Sequence, residues 1–124
     1  MTVLVAYHAS PHGEAAVRTA VDEARQRDTS LLVLVLDPSP PGSAAPDELT
    51  AVLDGAPAEL AFRSEDTEPA DAILDAAEGS GATLVVLGSR KRSSQGTFLM
   101  GTTTQRVLLD ASVPVLVVKD AYDS

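Results

Sequence analysis

The chain contains no cysteine, which removes disulfides, thiolate nucleophiles and cysteine-based zinc sites from consideration and leaves the compartment open. Its longest uninterrupted apolar run, Leu31 to Leu36, spans six residues, far short of the roughly 20 that a helix needs to cross a bilayer. No basic segment followed by a long apolar stretch opens the sequence, and a cytoplasmic soluble protein is the expectation. Positive charge is scarce as well. Two lysines, Lys91 and Lys119, and seven arginines stand against 18 acidic residues, a formal net charge of −9. A surface of that sign repels phosphate backbones, which argues against general nucleic-acid binding but not against a locally basic pocket. Aspartate outnumbers glutamate and arginine outnumbers lysine, a balance that fits a protein kept soluble in high salt. Halophilic origin is therefore a hypothesis, and unfolding midpoints that fail to rise from low to molar potassium chloride would sink it.

What is present fits one domain. A length of 124 residues allows a core and is too short for two ordinary domains; residues 1–120 form the expected domain and 121–124 a loose tail. Thr2 to Tyr7 is β-branched and aromatic without a turn former and predicts a first strand. From Pro11 to Arg27, Ala16, Val17, Ala20, Val21 and Ala24 fall on one helical stripe, with Ser10 as cap and Pro11 at the first helical position. Leu31 to Leu36 predicts a buried central strand. The following segment to Pro46 holds four prolines and predicts a surface loop. Asp47 to Leu53 predicts a short helix. Ala58 to Arg63 alternates like a half-exposed edge strand, with Ala58, Leu60 and Phe62 inward and Glu59, Ala61 and Arg63 outward. Pro69 to Gly79 predicts a helix closed by Gly79 and Gly81.

The remainder of the chain organises the rest. Leu84 to Leu87, broken by Gly88, and Val115 to Val118, entered through Pro114, are short all-apolar strands flanking a helical pattern. A βαβ unit with strands buried on both faces implies a parallel sheet covered by helices above and below. Within the loop, Gly88 and Gly101 are thirteen positions apart and Thr102 follows the second. A glycine before a helix lets an anion approach the first backbone N–H groups without a Cβ in the way. The alternative is that Gly88 ends a strand and Gly101 and Thr102 merely start a helix.

That spacing, with the closing strand SVPVLVVK, resembles the Gly-x2-Gly-x9-Gly-Ser/Thr pattern of nucleotide-binding universal stress proteins, and the resemblance runs from the first strand to the last. It implies an α/β fold of the adenine nucleotide alpha hydrolase-like kind: a doubly wound, five-stranded parallel sheet in the order 3-2-1-4-5 with helices on both faces. It further implies an adenine nucleotide ligand, ATP before others, a sensor or switch role in stress response, and a homodimer through Val115 to Val118. In this strand order the ligand crevice lies between strands one and four, at the loops after Tyr7 and Leu87.

Carried over residue by residue, the resemblance makes Gly101 and Thr102 phosphate holders, Gly88 the turn after the strand, and main-chain groups at Val35 the contact to the base. Asp37 is a candidate for the ribose or a plain carboxylate closing a strand. Two positions depart from the family pattern. Lys91 stands where the second glycine belongs, flanked by Arg90 and Arg92, and His8 stands where the family often carries an aspartate that helps place the phosphates or their metal ion. Histidine does not replace a hard oxygen ligand, so phosphate held by direct cationic contact, with less dependence on magnesium, is the expectation. His8 and His12 are four apart but lack a third ligand, so no transition-metal site is expected. The expected contact set is Tyr7, His8, Val35, Gly88, Arg90, Lys91, Gly101, Thr102 and Thr103. No nucleophile with a base or acid/base pair assembles from adjacent motifs, so turnover would be at most slow hydrolysis of bound nucleotide. The rival readings are a dimeric interaction module whose crevice Lys91 blocks, and a slow nucleotide hydrolase.

Overall fold

The computed structural model describes residues 1–40, 42–89 and 101–119. In chain order the elements are β1 (Thr2–Tyr7), α1 (Pro11–Arg27), β2 (Ser30–Val35), α2 (Asp47–Leu53), β3 (Glu59–Phe62), α3 (Pro69–Ser80), β4 (Ala82–Gly88), α4 (Thr102–Asp110) and β5 (Val115–Val118). The strands form one five-stranded sheet in the order β3-β2-β1-β4-β5, and every pair is parallel. This is the expected doubly wound arrangement. The apolar strands β1 and β4 are central and buried on both faces, as near-continuous runs of Val and Leu require.

Alternation along the strands divides the interior into two layers. Val3, Val5 and Tyr7 of β1 and Val33 and Val35 of β2 pack under α1 and α2, against Ala16, Val17 and Leu49. Leu4 and Ala6, with Leu34, Val85 and Leu87, pack under α3 and α4, against Ile73 and Val107. Successive side chains on a strand point to opposite faces, so a residue's parity decides which layer it enters. The predicted stripe of α1 is buried along its length. Its charges lie outside, where Glu14 pairs with Arg18 at 3.8 Å and Glu23 with Arg27 at 3.1 Å.

Helix ends follow their sequences. Ser10 caps α1 by accepting the Gly13 N–H at 3.0 Å, and Asp28 in the left-handed region closes it, its N–H reaching the carbonyls of Ala24 and Arg25. Gly81, at φ 67°, closes α3 in the same way. Arg106 of α4 bonds Asp71 of α3, fastening the two helices across their outer face. That hydrogen bond, with the Asp71 charge, raises the Arg106 pKa. Among the described residues no helix is long and apolar enough to cross a membrane.

Four elements differ in their bounds from expectation, among them β4, which runs Ala82–Gly88 where Leu84 to Leu87 is expected. β2 runs one residue earlier than Leu31 to Leu36, because Ser30 already pairs with Thr2 across the ladder. β3 is shorter than Ala58 to Arg63, and its faces are less unequal than alternation suggests. Leu60 remains 36% exposed at the sheet edge, while Ala61 packs on the α3 layer and Phe62 on the α1 layer. α3 continues through Gly79 to Ser80, and Gly81 alone makes the left-handed turn.

Candidate functional site

At the carboxyl ends of β1 and β4 the chain diverges to opposite faces of the sheet, and the divergence leaves a crevice. It has a volume of about 550 Å³, and its walls include His8, His12, Asp37, Arg63, Gly88 and the first turn of α4 from Gly101 to Thr104. That size lies within the roughly 300–1,000 Å³ usual for small-molecule sites. A second opening of about 640 Å³ lies at the opposite ends of β2 and β3, around Val21, Ala24, Thr29 and Pro57. The crevice is favoured as the working site because the starts of α1, α3 and α4 meet there with His8, His12, Asp37 and Arg63.

Two glycines let its walls come together. A Cβ on Gly88 would stand 2.2 Å from the His12 carbonyl oxygen, and one on Gly13 would stand 2.1 Å from the His8 carbonyl oxygen. The end of β4 therefore rests on the first turn of α1, and that turn rests on the end of β1. Gly88, expected as a turn residue, is instead the last residue of β4, and backbone contact with α1 requires it.

The start of α4 differs from that of α1. Gly101 occupies the cap position in extended conformation, among the described residues no side-chain capping bond is made there, and the first turn carries no acidic residue. The first N–H groups of a helix carry partial positive charge and have no partner within the helix, and here they open on the crevice beside Thr102 and Thr103. An anion, above all a phosphate, suits them.

Side-chain parity sorts the expected contacts. His8 reaches the crevice because it shares a face with Leu4 and Ala6. Tyr7 does not: it is fully buried in the α1 layer, and its carbonyl accepts the Leu36 N–H at 2.7 Å. Burial first, then the carboxylates of Glu14, Glu48 and Asp37, raise the pKa of its phenol. The Val35 side chain lies in the same layer, and its carbonyl accepts the Arg63 N–H at 2.9 Å within the sheet. From the end of β2 it is Leu36 and Asp37 that line the crevice. Arg90 and Lys91 lie outside the described residues, as do Arg92 and the tail 121–124.

Two contributors are not visible in the sequence pattern. Alternation puts Arg63 on a solvated strand face, yet its guanidinium turns into the crevice wall. It donates to the Leu36 carbonyl from Nε and to the Thr67 carbonyl from Nη1, both at 2.7 Å. Nothing in the alternation of β3 signals this, since it depends on where α3 begins. His12 joins His8, their Nε2 atoms 2.9 Å apart; the spacing of four is legible in the sequence, the convergence is not. Among the described residues no group of three or more His, Cys, Asp or Glu side chains is placed to hold a metal ion.

Comparison with known proteins agrees with this architecture. A universal stress protein of Mycolicibacterium smegmatis is 34% identical over 126 residues, covering 94% of this chain and 96% of that protein. The structure of a universal stress protein from Archaeoglobus fulgidus superposes with a TM-score of 0.75 at 29% identity, covering 96% of this chain and 98% of that one. A universal stress protein from the same organism in complex with dAMP has a TM-score of 0.67 at 25% identity, covering 96% of this chain and 98% of that one. The model of the universal stress protein family matches residues 1–119, and the chain belongs to that family.

Proposed function

We propose that the crevice between β1 and β4 binds an adenine nucleotide, with ATP as the first candidate, and that the chain acts as a nucleotide-dependent sensor or switch in stress response. The observation that carries this is the glycine-led start of α4, without a side-chain cap among the described residues, with Gly101, Thr102 and Thr103 lining one crevice with His8 and Gly88. The dAMP complex of the Archaeoglobus fulgidus protein supports a nucleotide ligand by similarity. The phosphate lies against the α4 amides and the cationic side of the crevice, which Arg63 supplies and to which Arg90 and Lys91 are assigned from sequence. The contact to base and ribose, assigned from sequence to main-chain groups around Val35, falls to the neighbouring Leu36 and Asp37, which line the crevice.

Magnesium is not needed for this contact, so nucleotide affinity is expected to be equal with magnesium and with a chelator. Loss of binding in chelator contradicts that part of the proposal. The chain pairs with a second copy along β5, and its turnover is at most slow hydrolysis.

The test is mass spectrometry of small molecules released on denaturing the purified protein, followed by ATP titration of wild type and Lys91→Gly. A co-purified or tightly titrating adenine nucleotide is the expected result. No nucleotide in either form makes a dimeric interaction module the better account, and phosphate release abolished by Lys91→Ala would favour a slow hydrolase.

A further inference from the structure

Arg63 brings to the crevice a charge that the fold does not neutralise. Its Nε donates to the Leu36 carbonyl and its Nη1 to the Thr67 carbonyl, both at 2.7 Å, with the Ser64 carbonyl 3.5 Å from Nη1. All of these acceptors are uncharged. Arg18, Arg27 and Arg106 each pair with a carboxylate, whereas Arg63 pairs with none among the described residues. A guanidinium has five N–H groups, and the two on Nη2 take part in none of these bonds. The two short carbonyl bonds also fix the side chain, so a further contact orders little that is not already ordered.

The position of that charge narrows what it can meet. By holding Leu36 and Thr67, the guanidinium lies at the end of β2 and beside the segment that enters α3. The glycine-led start of α4 belongs to another wall of the same crevice. In the sheet, β1 separates β2 from β4, which puts the ends of those two strands about 10 Å apart. The helices α3 and α4, joined through Asp71 and Arg106, pack with axes roughly 8–10 Å apart. One phosphate group does not reach both positions. Arg63 instead shares its wall with Leu36 and Asp37, the side to which the base and ribose are assigned.

We infer that Arg63 holds a second phosphate group, carried on the 2′ or 3′ hydroxyl of the nucleotide's ribose, while the 5′ phosphate lies at α4. The inference rests on the nucleotide reading above and names the ligand class: an adenine nucleotide phosphorylated on its ribose as well as at its 5′ end. In doubly wound folds an acidic residue past the second strand takes a ribose hydroxyl, and a nearby arginine accommodates a ribose phosphate. Here Asp37 is the acceptor for the hydroxyl that stays free, and the Nη2 edge of Arg63 donates to the phosphate oxygens.

The test is calorimetric titration of AMP, adenosine 2′,5′-bisphosphate and adenosine 3′,5′-bisphosphate into wild type and Arg63→Gln. One of the bisphosphates is expected to bind wild type more tightly than AMP by about tenfold or more, the size of a charge-assisted bond. In Arg63→Gln that advantage is expected to vanish. Loss of the bonds to Leu36 and Thr67 weakens all three ligands alike and cancels in the ratio, so a merely structural role for Arg63 leaves the advantage intact. In wild type, the Arg63 Nε–H resonance is expected to move further with the preferred bisphosphate than with AMP, a measurement that stands even if the variant does not fold. Equal affinity for AMP and both bisphosphates, an advantage that survives in Arg63→Gln, or an Nε–H resonance that does not distinguish the ligands overturns the second phosphate site and leaves nucleotide binding intact. Failure of all three to bind wild type overturns the nucleotide reading and this site with it.

Discussion

Tyr7 shows how a single residue carries both a packing role and an electrostatic one. Its ring fills the layer under α1 and α2, and its hydroxyl is buried without a hydrogen-bond partner among the described residues. An unsatisfied buried hydroxyl costs about 1–3 kcal/mol, so Tyr7→Phe is expected to raise unfolding free energy by about 1 kcal/mol in denaturant titrations. A loss of similar size would mean that the hydroxyl has a bonding partner. Because burial and neighbouring carboxylates raise the phenol's pKa above the ordinary 10.0, the fold favours the neutral form. The resulting stability is complete below the unfolded value and is lost as pH rises through the folded one. Unfolding measured into the alkaline range should therefore fall less steeply for Tyr7→Phe than for wild type. At this scale sequence misleads easily: Tyr7 and His8 are neighbours at a strand end, and only parity sends one into the core and the other into the crevice. Arg63 reads as a solvated charge until the position of Thr67 is known.

Elements are more legible, because their signals are repeated. The six-residue run of β2, the stripe of α1 and the Pro-entered β5 each combine several residues that point the same way, and the structure moves their ends by at most one residue. What sequence does not reveal is why a given glycine is there. Gly79 lies in the last turn of α3, where an added Cβ would meet nothing within 4 Å, whereas a Cβ on Gly88 at the end of β4 would meet the His12 carbonyl oxygen at 2.2 Å. The two substitutions by alanine should thus have opposite signs. Gly79→Ala stabilises by about 0.5–1 kcal/mol through chain entropy and helix propensity. Gly88→Ala forces α1 and β4 apart and costs about 1–3 kcal/mol. Thermal unfolding of both variants checks the pair, and similar effects from the two would contradict the contact between β4 and α1.

For the whole molecule, the sheet order is legible only through the family pattern, since right-handed crossovers allow several doubly wound orders. Its consequence is an edge at β5, whose four apolar residues are only half-buried in one chain. An exposed apolar edge strand is a site for pairing, and the proposed two-fold partner along Val115 to Val118 would cover it. Sedimentation at micromolar concentration is expected to show a dimer, and Val117→Lys a monomer with its fold retained; a monomeric wild type would remove the dimer from the account. The same strand order places the crevice at one end of the sheet and the second opening at the other. Backbone amide NMR during an ATP titration separates them. The account predicts shifts centred on His8, Gly88 and Gly101 to Thr103; shifts confined to the surroundings of Val21, Thr29 and Pro57, or none at all, would contradict it.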